Sequence, residues 1–189
     1  IHMENFDDDS WTDFWTTGGN NSAYTNSSYY NSAPYSLYMY TTNYDSYITS
    51  DTLTSNGSLA LEFWYYLLVV DTDCNFQVQL KVNDGEFQTV WESVSGQYMN
   101  HYLYIEETIS LALGEYLLDG DNYQIRFLSH PYSTSSSYDN VYVYIDDIMI
   151  MEGSDQTIFG DVYTFDMSET SLNLSNPGTD TLRVTDISF

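Results

Sequence analysis

Residues 141–150 read V-Y-V-Y-I-D-D-I-M-I, a run of strong β-strand formers that contains two adjacent carboxylates. The apolar residues Val143 and Ile145 occupy odd positions, whereas Ile148 and Ile150 occupy even ones. Side chains alternate between the two faces of a strand, so a change of phase within one strand predicts a β-bulge that redirects the side chains beyond it.

The two carboxylates at this bulge, Asp146 and Asp147, need a partner if the strand is buried. Removing a carboxylate from water costs several kcal/mol unless a hydrogen-bond donor, a cation or a metal neutralises it. Calcium takes six to eight oxygen ligands in a flexible geometry, which suits adjacent carboxylates joined by loop carbonyls better than Zn²⁺ does. The pattern therefore predicts a calcium site. The alternative is a solvent-facing pair at a bulged edge.

The charge composition excludes several classes of partner. The chain of 189 residues carries 28 Asp and Glu against 3 Lys and Arg, a formal net charge of −25. This field repels nucleic acid and anionic membrane surfaces, and it opposes compaction unless salt or bound cations screen it. A solvated acidic surface and a few calcium-binding acids are compatible explanations. We expect no membrane insertion, because no run of 18 apolar residues occurs.

The hydrophobic pattern predicts an all-β fold. Helical periodicity is almost absent, and short alternating runs are separated by turn residues every 8 to 12 positions, as in a β-sandwich of two antiparallel sheets. Residues 59–67 and 76–82 alternate most clearly, and Asn83, Asp84 and Gly85 form a tight-turn signal before a returning strand. Cys74 is the only cysteine, so no intrachain disulfide forms.

Six motifs in order resemble a known group of domains. They are E-N-F-D-D-D-S-W (4–11), S-A-P-Y-S-L (32–37), L-A-L-E-F-W-Y-Y (59–66), V-N-D-G-E-F-Q-T-V-W-E (82–92), Y-Q-I-R-F (123–127) and V-Y-I-D-D-I (143–148). This order resembles the MAM-like jelly-roll domains of bacterial and archaeal surface proteins, also called choice-of-anchor J or cleaved-adhesin domains. The resemblance implies a jelly roll in a secreted or cell-surface protein.

The first and last motifs are also similar to those of calcium-containing jelly-roll carbohydrate-binding modules. That resemblance implies that Glu4 or Asp7 and Asp146 or Asp147 hold a structural Ca²⁺, with backbone oxygens from residues 31–35. These four acids are the predicted metal ligands.

The tail resembles a different domain. I-F-G-D-V (158–162) and the segment 172–187 are similar to the start of Ig-like domains of the HYDIN and choice-of-anchor D type. We therefore expect a jelly-roll β-sandwich over residues 4–152, followed at 153–189 by a linker and the first strands of a truncated Ig-like β domain. Residues 1–3 are typical of a cloning-vector remnant.

Aromatic residues on the polar faces of the strands predict a ligand site. Rings that stack on the C–H faces of a sugar, beside planar polar groups that bind its hydroxyls, are suited to glycan. The predicted ligand-binding residues are Trp64, Tyr66, Gln77, Gln79, Arg126, Tyr142 and Tyr144. The alternative is that Trp64 and Tyr66 form a satellite core under a long loop. Residues 24–47, with eight tyrosines, could be that loop or a contact surface of their own.

The sequence contains no motif for catalysis. It lacks a G-x-S-x-G elbow, an H-E-x-x-H motif and a phosphate-binding glycine loop. We expect a non-catalytic binding or adhesion module that recognises glycan or a cell surface, within a larger extracellular multidomain protein. The alternative is a structural spacer with no ligand of its own, which gains support if a loop buries Trp64 and Tyr66.

Overall fold

The computed structural model describes residues 2–19, 23–41, 44–70, 74–93, 102–131 and 140–152. These segments contain twelve β-strands and two short 3₁₀ turns, Asp9–Asp13 and Gly114–Tyr116. The strands are β1 (His2–Glu4), β2 (Trp15–Gly19), β3 (Ala23–Asn26), β4 (Ser36–Thr41), β5 (Ser46–Ser50), β6 (Leu53–Asn56), β7 (Leu59–Val70), β8 (Cys74–Val82), β9 (Gln88–Glu92), β10 (Tyr102–Ala112), β11 (Asp119–Pro131) and β12 (Asn140–Glu152).

The strands form two antiparallel six-stranded sheets, which confirms the predicted jelly-roll β-sandwich. Sheet A has the order β10-β7-β12-β4-β3, and β1 also pairs with β12. Sheet B has the order β2-β5-β11-β8-β9, and β6 also pairs with β11. No helix in the described segments is long and apolar enough to cross a membrane.

One hydrophobic core lies between the two sheets. Phe63 of β7 packs against Phe127 of β11 and Phe76 of β8, with ring centroids 5.0 and 6.2 Å apart. Residues from the alternating runs of both sheets fill this layer, among them Leu61, Ile145, Val78 and Ile125. Because the inner faces meet in this core, the outer faces of sheets A and B lie on opposite sides of the molecule.

Strand β12 contains the bulge predicted from its change of phase. Asp146 lies opposite Trp64 of β7, but Met149 lies opposite Glu62, so two β12 residues oppose one β7 residue between these pairs. Asp147 has a φ of 49°, in the left-handed region that a bulge uses. As a result Ile148, like Ile145, reaches the core and is 1% exposed.

The remaining predicted elements are the turn between β8 and β9 and the two ends of the chain. The turn at Asn83 joins β8 to β9 as expected, with Gly85 N–H donating to Val82 O. Residues 109–118 contain the end of β10 and the second 3₁₀ turn. The predicted Ig-like segment at 153–189 lies outside the described residues. His2 and Met3, which belong to the predicted cloning-vector remnant at residues 1–3, form β1 together with Glu4 and pair with β12.

Candidate functional site

Asp146 holds a loop against sheet A. Its side chain is fully buried. Its Oδ2 accepts hydrogen bonds from the backbone N–H groups of Asn31 and Ser32, both at 2.9 Å, and its Oδ1 accepts one from Asp147 N–H at 2.9 Å. Burial raises the pKa of the Asp146 carboxyl to about 6; these backbone donors act in the opposite direction, and the nearby Asp147 charge raises it further. Backbone donors thus supply the partners that the sequence argument required.

Asp147 completes the attachment of the same loop. Its Oδ1 accepts from the Ser32 hydroxyl and its Oδ2 from the Asn31 side-chain amide, each at 2.7 Å. Asp147 also borders a pocket of about 580 Å³ on the outer side of sheet A. Residues lining this pocket include Glu4, Asn31, Glu62, Trp64, Thr108 and Asp147.

Part of the predicted calcium set suits a hard cation. Glu4 and Asp147 line the same pocket. Burial raises the pKa of the Glu4 carboxyl, and the charges of Asp8 and Asp7 add to this effect, against hydrogen bonds from backbone N–H groups. Asp7 Oδ1 is buried without a hydrogen-bond partner in the described segments. Partly buried carboxylate oxygens of this kind are compatible with a bound Ca²⁺.

The four predicted ligands do not, however, converge on one point. No group of three or more His, Cys, Asp or Glu residues is arranged to hold a metal among the residues described above. Asp146 already accepts hydrogen bonds from backbone N–H groups. Asn31 and Ser32 direct their N–H groups towards it, and not their carbonyl oxygens. A calcium ion here would depend mainly on Glu4 with Asp7 or Asp147, together with other oxygens.

The outer face of sheet A carries a cluster of aromatic rings, here called the tyrosine face. Its members are Tyr38, Tyr40, Trp64, Tyr66, Tyr142 and Tyr144. Trp64 is only 5% exposed and Tyr144 only 7%. Tyr29, from the segment that Asp146 holds, stacks on Tyr66 with centroids 4.3 Å apart and planes 7° apart. The tyrosine face is therefore a satellite core under a loop, the alternative considered from the sequence.

The prediction that all seven ligand-binding residues share one site was wrong. Trp64, Tyr66, Tyr142 and Tyr144 belong to sheet A, whereas Gln77, Gln79 and Arg126 lie on β8 and β11 of sheet B. Alternation places both groups on outward faces, but the outward faces of the two sheets point in opposite directions. The pattern of a strand specifies which side chains face outward, and strand pairing decides which of them become neighbours.

Arg126 is the centre of a second outward surface, here called the arginine face. Its guanidinium carbon lies 3.6 Å from the ring centroid of Phe87 and 4.3 Å from that of Tyr47. Its Nε donates to the Thr49 hydroxyl at 3.1 Å. Burial lowers the pKa of Arg126, while the proximity of Tyr47 and Asp45 acts against this shift. The guanidinium is thus held in place by ring stacking and one hydrogen bond.

Planar amides extend the arginine face across β8 and β9. Gln79 Nε2 donates to Gln77 Oε1 at 3.1 Å, and the Thr89 hydroxyl donates to the same oxygen at 3.1 Å. Register pairs Gln79 with Arg126 and Lys81 with Gln124. The result is a surface that combines rings, amides, hydroxyls and two cations.

Sequence reasoning did not identify Tyr47 and Phe87 as partners of Arg126. Tyr47 and Thr49 flank the buried Ile48 in a short alternating strand, whereas Tyr47 was expected within a loop or contact surface at residues 24–47. Phe87 follows the predicted turn and packs over Arg126 from the β8–β9 hairpin. This contact depends on how the hairpin folds back over β11, which no local pattern specifies.

Comparison with known proteins shows that several solved structures have a fold similar to that of this chain. No protein-family model and no curated protein matches the chain. Similar solved structures include the K3 cleaved adhesin domain of Lys-gingipain from Porphyromonas gingivalis, at 16% identity and a TM-score of 0.50, with 81% of this chain and 99% of that chain covered. The CBM22-2 xylan-binding domain from Paenibacillus barcinonensis Xyn10C is 14% identical, with a TM-score of 0.47 over 80% of this chain and 99% of that chain.

A third similar structure is TmCBM61, solved in complex with β-1,4-galactotriose. It is 12% identical, with a TM-score of 0.46 and coverage of 74% of this chain and 88% of that chain. At these identities the likeness concerns only the fold, the jelly-roll β-sandwich described above.

Proposed function

We propose that this protein is a non-catalytic glycan-binding module and that its binding surface is the arginine face of sheet B. The observation that carries the proposal is the stack of Tyr47, Arg126 and Phe87 beside the Gln77–Gln79 amide pair. The rings provide apolar edges, the amides provide donors and acceptors, and all belong to neighbouring strands or to a short hairpin. This is the combination of fixed rings and planar polar groups that sugar recognition uses.

The proposed surface is already ordered before a ligand arrives. The Gln77–Gln79–Thr89 hydrogen bonds fix the amide orientations, and the Thr49 hydroxyl fixes the guanidinium. Restricting rotamer-rich side chains costs about 0.5–1.5 kcal/mol each on binding. A surface in which these side chains are already held loses less of its interaction energy to ordering, so weak contacts with sugar hydroxyls can contribute to affinity.

A test compares two tyrosine substitutions on opposite faces. Tyr47→Ala removes a ring from the arginine face and is expected to weaken binding to a glycan array or to soluble polysaccharide at least ten-fold. Tyr24→Ala, a matched control on the outer face of sheet A, is expected to leave binding unchanged. Equal loss in both variants, or loss only in Tyr24→Ala, would move the site away from the arginine face.

The second candidate function, a structural spacer, is supported by the buried tyrosine face. Trp64 and Tyr144 are covered rather than displayed, and Tyr29 closes over Tyr66. If the wild-type protein binds no glycan in the array, the spacer function is the better explanation. Under either function we propose an extracellular or cell-surface location within a multidomain protein, which the acidic composition and the predicted Ig-like tail support.

We also propose that calcium stabilises the fold at the pocket beside Glu4. Glu4 and Asp147 would hold the ion, or Glu4 and Asp7, and Asn31 and Ser32 lie at the same pocket. Bound there, the ion would offset the carboxylate charges between β1 and the bulge of β12. In this role it contributes to stability rather than to recognition of a ligand.

A further inference from the structure

We infer that the sugar recognised at the arginine face carries an anionic group, a uronate carboxylate or a sulfate ester. This inference rests on the proposed glycan-binding function and adds a chemical class to it. The observation that carries it is the placement of positive charge. Arg126 and Lys81 are the only Lys or Arg residues in the described segments, and both lie on this one face.

Among the described residues neither cation forms a salt bridge with a carboxylate, although the charge of Asp45 is near enough to act on Arg126. The sequence has 28 acids, yet the one contact between a basic side chain and a carboxylate at hydrogen-bond distance in the described ranges joins His130 to Asp45. Arg126 stacks between Tyr47 and Phe87 instead, and Lys81 Nζ lies 6.0 Å from the Phe87 centroid. The two described cations thus lie around one ring without a salt bridge, where both can interact with an anion from outside.

The geometry of Arg126 suits an oxyanion. The Tyr47 and Phe87 rings lie 4.3 and 3.6 Å from the guanidinium carbon, and Thr49 accepts a hydrogen bond only from its Nε–H. The terminal N–H groups donate no hydrogen bond to another described residue. A guanidinium edge pairs with a carboxylate or sulfate through parallel hydrogen bonds, which are shorter and stronger than neutral ones. Lys81, two positions along from Gln79 on β8, adds a mobile charge nearby.

The net charge of the whole molecule does not prevent this interaction. At physiological ionic strength the Debye length is about 8 Å, so distant acids are largely screened and the nearest groups dominate. Of the acids near this face, Asp45 is bonded to His130 at 2.6 Å, Glu92 lies across from Gln77, and Asp84 borders a groove with Lys81. The local balance of charge at this face therefore depends on these three acids and on the two cations, both of which lie near the Phe87 ring.

The test measures affinity for polygalacturonate, its carboxyl-reduced neutral galactan and a sulfated galactan, at constant ionic strength. We expect wild type to bind one or both anionic polymers at least ten-fold more tightly than the neutral one. Arg126→Gln is expected to lower the affinity for the anionic polymer about ten-fold and Lys81→Gln several-fold, in each case by a larger factor than the affinity for the neutral polymer. Which anionic polymer binds distinguishes carboxylate from sulfate recognition.

Controls separate the failure of this inference from the failure of the proposed function. Denaturation midpoints show whether each variant is folded. If Arg126→Gln unfolds, Lys81→Gln and Arg126→Lys carry the test, and Arg126→Lys is expected to retain partial binding. Neutral binding equal to anionic binding, with loss in Tyr47→Ala, overturns the anionic class and leaves glycan binding in place. Binding to none of the three polymers and to no glycan in the array overturns both.

Discussion

At the scale of single residues, two adjacent aspartates with the same sequence neighbourhood have different roles. Asp146 is fully buried and accepts three backbone N–H groups. Asp147 is partly exposed, adopts a left-handed backbone and accepts only side-chain donors. The first tethers the loop that covers the tyrosine face, and the second shapes the bulge. The two carboxylates therefore make different kinds of hydrogen bond, because Asp146 is fully buried and Asp147 is only partly buried.

This difference predicts unequal effects of one substitution. Asp146→Asn turns one acceptor oxygen into a donor that faces backbone N–H groups, so we expect a loss of about 2–3 kcal/mol in unfolding free energy. Asp147→Asn keeps a residue that tolerates the left-handed region, and we expect a loss below about 1 kcal/mol. Chemical denaturation of the two variants measures both values. Equal losses would show that the pair acts as one unit, as two ligands of one metal would.

At the scale of elements, the arginine face depends on a close approach between β2 and β5. The Tyr47 ring lies directly over Gly18, and a Cβ added at Gly18 would overlap atoms at the far end of that ring. A glycine is therefore required for Tyr47 to lie across the strand and contact Arg126. The β8–β9 hairpin supplies Phe87 from the other side. Two separate elements thus position one guanidinium.

Gly18→Ala is predicted to separate binding from stability. The methyl group should push the Tyr47 ring away from Arg126 and weaken glycan binding at least ten-fold. Because the ring is the end of a flexible side chain and can move, the loss in unfolding free energy should be only about 1 kcal/mol. Gly114→Ala is the matched control, because a Cβ there meets its nearest neighbour at 3.5 Å. Unchanged binding in Gly18→Ala would show that the Tyr47 position is not needed.

At the scale of the whole molecule, a net charge of −25 makes the stability of the fold sensitive to both monovalent and divalent cations. Monovalent salt screens the acidic surface, whereas a calcium site would respond to one ion specifically. The two effects can be separated, since Mg²⁺ matches the charge of Ca²⁺ but demands octahedral geometry and retains its waters.

We expect Ca²⁺ to raise the melting temperature more than Mg²⁺ at matched ionic strength after EDTA treatment. At a calcium concentration 100 times its Kd the stabilisation is about 2.7 kcal/mol, or roughly 5–10 °C. Glu4→Gln should abolish the difference between the ions, while Glu115→Gln, an exposed control of equal charge change, should preserve it. Identical curves for the two ions in wild type would contradict a calcium site.

Local pattern by itself determined the sandwich class, the long strands β7 and β8, and the bulge in β12, because side-chain alternation depends only on neighbouring residues. It also indicated that Trp64 and Arg126 face outward. Only the tertiary structure decided that these two side chains lie on opposite surfaces, that Tyr29 stacks on Tyr66 of the tyrosine face, and that the Tyr47 and Phe87 rings lie against Arg126. The physical reason is that strand order and loop packing arise from contacts between residues far apart in sequence. The two N–H groups that Asn31 and Ser32 donate to Asp146, from more than 110 positions away, are such contacts.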